Sequence, residues 1–233
     1  MKIHNLVLMV SVSVAFMSCI TIGNGNIITD ERDLPPFKKI TVSGGTEVRF
    51  HVNPAYRTVV TIDSNLNEYF ETIVRNEVLI IKHKPLRSYS FTKEIVDVYC
   101  PSITSVSISG SGRFEAIDKI TTLAFQTDIS GSGTIYGSIE CNNFSAHISG
   151  SGKINIAGSS QDAEIDISGS GDFNGTEFRV NDCSIDISGS GKANVFVEDN
   201  LNGKTSGSGH VKYRGNPKID FRSSGSGKIE GIE

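Results

Sequence analysis

Three sets of side chains recur at fixed distances from a tetrad, Ser-Gly-Ser-Gly, that appears seven times between Ser109 and Gly227. Two residues before the tetrad stand Ser107, Asp128, His147, Asp166, Asp186, Lys204 and Arg222. Carboxylates beside an imidazole are the groups of a metal site or an acid–base pair. Directly after the tetrad stand Arg113, Thr134, Lys153, Asp172, Lys192, His210 and Lys228, a stripe that could hold an anion. Two residues further on stand Glu115, Tyr136, Asn155, Asn174, Asn194, Lys212 and Glu230, whose amides suit either a sugar or one another. For the first two sets a plainer reading weighs more, because charged ladders on a solvent face discourage sideways association. For the third, stacked asparagines form amide ladders that stabilise neighbouring strands. The residues kept as candidates for surface binding are Asn155, Asn174, Asn194, Lys153 and Lys192. No catalytic residue, metal ligand or cofactor is expected.

The elements that carry these side chains follow from the spacing of the tetrads. Their first serines fall at 109, 130, 149, 168, 188, 206 and 224, in steps of 18 to 21 residues. A period near twenty marks a solenoid in which each repeat makes one coil. Alternation then assigns the faces. In "VSISGSGRFEA", Val106, Ile108, Gly110, Gly112, Phe114 and Ala116 are two apart and point inward if the chain stays extended, while Ser109 and Ser111 point out. Glycine inside a strand pattern marks a bend or a close backbone approach, so the tetrad is a corner. The fold class is therefore all-β, a right-handed parallel β-helix with coils of 18–21 residues. The runs "KKITVSG", "TEVRFHV", "TVVTI", "EVLIIKH" and "EIVDVYCP" are strands of period two that form its first part. The expected organisation is a signal peptide at 1–18, a lipidated tether at 19–36 and one β-helix domain at 37–233. Within it, residues 37–105 make irregular N-terminal coils and residues 106–233 the repeat coils.

The chain has 233 residues and a net charge of −4, which argues against nucleic acid as a partner. "MKIHNLVLMVSVSVAFMSC" has an early lysine and an apolar run too short to span a bilayer, the layout of a secretory signal. "FMSC" resembles the bacterial lipobox, which makes Cys19 the expected lipid attachment site. Cys100 falls on the apolar face of "IVDVYC", and Cys141 and Cys183 lie two coils apart, too far for a disulfide. Glycine spacing in "GSGTIYG" and "GSGDFNG" does not fit a dinucleotide fingerprint.

The order of "LPPFKKITVSGGTEVRF", "VTIDSNL", "DVYCPSITSVSISGSG" and repeats ending in "DISGSG" resembles the auto-transporter adhesin head family, the GIN-domain family of exported lipoproteins in Bacteroides-like bacteria. The resemblance implies a right-handed parallel β-helix and no established activity. The expected function is that of a lipid-anchored, non-enzymatic adhesive or scaffold protein of the cell envelope, an outer-membrane lipoprotein facing the periplasm or the cell surface. A polysaccharide lyase or hydrolase is the alternative, since parallel β-helices often host such enzymes. Expected partners are the membrane, through the lipid, and a cell-surface polysaccharide or an envelope protein. A monomer is expected over an end-to-end dimer, because Lys228, Glu230 and Glu233 place charge on the last strand.

Overall fold

A run such as Val106-Ser107-Ile108-Ser109-Gly110 is apolar on one side only, so as a strand it must bury that side against its neighbours. In the computed structural model, which describes residues 20–85 and 88–232, it does so by stacking in register. The strands leading into the corners pair in parallel to make a first face. Ile108, Ile129, Ile148, Ile167, Ile187, Thr205 and Ser223 lie directly opposite one another along it. The strands leaving the corners make a second face, on which Phe114, Ile135, Ile154, Phe173, Ala193, Val211 and Ile229 align in the same way. The result is a β-solenoid of about seven turns. Its core is a continuous column of buried Ile, Val and Phe, with Phe144 packed 5.0 Å from Phe178 and 6.1 Å from Phe173. No single coil could bury such a face alone.

The corners are held by backbone. The N–H of the second serine donates to the carbonyl of the first glycine one coil earlier, as in Ser151 to Gly131 (2.9 Å) and Ser170 to Gly150 (2.8 Å). One detail differs from strict alternation. The second glycine is buried, as at Gly112 and Gly171, but the first is partly exposed and adopts a positive φ, +120° at Gly110 and +119° at Gly169. The chain turns at that glycine, and both serines stay outside while Ile108, Gly112 and Phe114 stay on the inward side. The second glycine lies over the isoleucine of the preceding corner: a Cβ on Gly171 would sit 2.4 Å from Ile148 Cγ2.

Residues 37–105 divide into a regular coil and a cap. Lys39–Gly44 pairs in register with Ser105–Gly110, and Glu47–Val52 with Arg113–Ala116, so Ser43-Gly44-Gly45-Thr46 is a further corner. Val78–His83 and Glu94–Cys100 add one more parallel layer. Beyond it the direction reverses. Phe70–Arg75 runs antiparallel to Val78–His83 through a two-residue turn in which Asn76 and Glu77 both have positive φ, 49° and 60°. Arg57–Asp63 runs antiparallel to Glu94–Cys100, and Ile27–Asp33 antiparallel to Arg57–Asp63. Hairpins replace coils here because the segment lacks the Ser-Gly corner that keeps successive strands parallel.

Of the stretch expected as a tether, residues 19–36, two strands within 20–33 are built into this cap. Ile20–Ile22 pairs with Ser88–Ser90, and Ile27–Asp33 with Arg57–Asp63. Alternation in "IITDERD" supplies one side for pairing, and Arg32 fastens it through hydrogen bonds to Phe70 O (3.1 Å), Thr72 Oγ1 (3.1 Å) and Asn67 Oδ1 (2.7 Å). Asp63, fully buried, accepts from the N–H groups of Gly25 and Thr92, both at 2.8 Å. The expected signal peptide and Cys19 lie outside the described residues.

Candidate binding grooves

On the first face the outward columns line a groove of about 820 Å³ along the solenoid. Ser105, Gln126, Ser145, Glu164, Ser184 and Asn202 stand in register across six neighbouring strands. Beside them run Asn143, Asp162 and Asp182, and Leu123, 77 % exposed, forms a wall. One hydroxyl, amide or carboxylate per strand offers a hydrogen-bonding group at each step of ~4.8 Å. Asp162, Glu164 and Asp182 give this groove a negative charge. Period-two alternation already turns these residues outward; what the sequence leaves open is that the face is concave here.

The column carrying Asp128, His147, Asp166, Asp186 and Lys204 lines an adjoining groove of about 670 Å³. Its polar side chains contact one another. His147 Nε2 is 3.0 Å from Asp166 Oδ2, with Nδ1 3.9 Å from Asp128, and Lys204 Nζ is 3.1 Å from Asp186. Among the described residues no three His, Cys, Asp or Glu side chains are placed to hold a metal ion. The three described cysteines are free, and burial pushes the Cys183 thiol up to about 12, which makes it a packing residue. Desolvation likewise raises Cys100 to about 12, a backbone hydrogen bond from Ser102 opposing it.

The asparagine and lysine candidates sit on the second face. Asn155, Asn174 and Asn194 are in register, as are Lys153, Asp172 and Lys192. Asn174 Nδ2 is 3.5 Å from Asn155 Oδ1, a long bond, and Asn174 Oδ1 accepts from Thr176 Oγ1 at 3.1 Å. Tyr136, Asn155, Asn174, Thr176 and Glu177 line a shallow cleft of about 380 Å³, where the Arg113 guanidinium lies 4.2 Å from the Tyr136 ring centre. Lys153 is 3.9 Å from Asp172. The two sets therefore share one face, opposite in chain sense to the larger groove, and do not converge on a single pocket.

Comparison with known proteins agrees with this architecture. The crystal structure of a "putative adhesin" from Bacteroides fragilis superimposes with a TM-score of 0.86 at 19% identity, covering 91% of this chain and all of that one. A "putative adhesin" from Parabacteroides merdae gives 0.75 at 22% identity, covering 92% and 99% of the two chains. A "putative lipid binding protein" from Parabacteroides distasonis gives 0.78 at 24% identity, covering 92% and 100%. At these identities the likeness is one of fold. No curated protein sequence matches the chain. Residues 36–217 match the family model "Putative auto-transporter adhesin, head GIN domain", and the chain belongs to that GIN-domain family.

Proposed function

We propose that this protein is exported, anchored through lipid on Cys19, and serves as a non-enzymatic adhesive surface of the cell envelope that holds an extended, uncharged glycan along the first-face groove. The observation that carries this reading is the in-register polar lining, from Ser105 to Asn202, across six strands. A linear polymer whose repeat is close to one strand spacing meets a hydroxyl, amide or carboxylate at each step. Carboxylates in the lining favour an uncharged polymer over an anionic one. Membership of an adhesin-head family supports a place in the envelope.

Ser184 is exposed on the fifth of the six strands of the lining, so Ser184→Trp should obstruct the groove and leave the buried core untouched. Retention of wild-type protein on immobilised neutral glycans, abolished by Ser184→Trp at unchanged melting temperature, is the expected result. Failure of the wild type to bind any neutral glycan, or release of reducing ends from one, would defeat the proposal. The anchor has its own test. Cys19→Ala should move the protein from the membrane pellet to the soluble fraction, since one or more acyl chains would be lost; a variant that stays in the pellet after a high-salt wash contradicts lipidation at Cys19.

A further inference from the structure

The last three strands of the second face gather four basic side chains that form no ion pair among the described residues, with Glu230, opposite Lys212, the one carboxylate on those strands in register with them. Lys192, His210 and Lys228 are directly opposite one another on adjacent strands. Lys212 lies between Asn194 and Glu230, and Arg214 is opposite Phe196, whose ring also carries the Arg179 guanidinium 4.8 Å from its centre. Lys192, Lys212, Arg214 and Lys228 are exposed, and among the described residues none of them forms an ion pair. Earlier strands of the same face differ. There Arg49 pairs with Glu47, Arg113 with Glu115 and Lys153 with Asp172. A protein of net charge −4 that nonetheless gathers four unpaired cations on three neighbouring strands, on one face and at one end, presents a local site for an anion.

The surroundings limit the size and kind of that anion. Upstream of Lys192 the next residue in the column is Asp172, and Glu177 follows on the same strand, so a long polyanion would run onto carboxylates. The patch therefore fits only a short run of negative charges. Asn194 beside the cations offers amide hydrogen bonds, and the half-buried Phe196 ring offers an apolar platform, a pairing that suits sugar rings. We propose that Lys192, Lys212, Arg214 and Lys228 bind a short run of carboxylate or sulfate groups on an acidic polysaccharide. This site is separate from the first-face groove and takes a ligand of opposite preference.

Calorimetric titration of the full chain with a short oligogalacturonate and with its methyl ester tests the assignment. The free acid should bind with an affinity that falls as salt is raised, and the ester about tenfold or more weakly. Lys212→Glu/Lys228→Glu should reduce affinity for the acid to the level of the ester, with Arg214→Gln giving a smaller loss at unchanged melting temperature. Ser184→Trp should bind the acid like wild type, so failure of the neutral-glycan groove would leave this result intact. Equal binding of acid and ester overturns the proposal, as does full affinity in the double variant. Tighter binding to duplex DNA or to anionic phospholipid vesicles than to the oligogalacturonate overturns it too, by pointing to a different class of anion.

Discussion

Gly169→Val should destabilise the protein by about 4 kcal/mol, whereas Ser170→Ala, one residue on, should cost about 1 kcal/mol or less. Two separate penalties meet at Gly169. Its φ of +119° lies where a β-branched side chain is strained. A Cβ there would also sit 2.6 Å from the carbonyl oxygen of Gly150, a backbone atom that cannot swing aside because it accepts the Ser170 N–H. The damage would spread, since Gly169 itself is the floor for Gly189 in the next coil. Ser170 keeps its backbone bond as alanine and its side chain is exposed. Denaturant melts of the two variants give the comparison, and similar losses for both would show that the corner is not limited by backbone approach.

Asp63→Ala should cost about 3 kcal/mol and remove part of the protein's acid sensitivity. Burial pushes the Asp63 carboxyl up, but the backbone N–H groups of Thr92, Gly25 and Lys93, with the Thr92 hydroxyl, pull it down further, so that it ends below its ordinary 3.8. A carboxylate held low in the folded state contributes stability that is present above its unfolded value and is lost as pH falls through the folded one. Wild-type stability should therefore drop as pH falls below about 4, and Asp63→Ala should show a flatter profile there. The same carboxylate ties the Gly23–Asn26 loop to the segment at Thr92, and Gly23 is close enough that a Cβ would meet Asp63 Cγ at 2.4 Å. Proteolysis near residue 25 should accelerate in the variant. Unchanged stability at neutral pH, or an unchanged acid limb, would show that the N-terminal segment is held by strand pairing alone.

Much of the fold was legible because a solenoid writes its structure along the chain. Most coils repeat the same local decision, with Ile before the corner (Thr205 and Ser223 in the last two), glycine within it and an apolar residue after it, so one period and one alternation locate strands, corners and core from residue 106 onward. The corner at Ser43–Thr46 escaped because Gly45 and Thr46 replace the Ser-Gly pair, although Ile40 and Val42 carry the same pattern. The hairpin turn at Asn76 and Glu77 also gave little warning, since neither residue pair is a glycine turn.

Residue spacing alone determined which side chains face outward and which columns they join, because alternation in a strand is a local property. It could not decide which columns would meet a hollow. The groove lined by Gln126, Ser145 and Glu164 also takes in Phe125, Phe144 and the exposed Leu123, which belong to other columns. Nor could it decide that Asp166 would lie within reach of His147 and Asp186 of Lys204, while Lys212 and Lys228 would form no ion pair among the described residues. The same holds for the N-terminal segment, where "IITDERD" is polar enough to read as a tether and becomes a strand only when Arg57–Asp63 lies beside it. Groove lining, charge pairing and antiparallel closure depend on residues brought together from distant parts of the chain, and those contacts are set only when the coils stack.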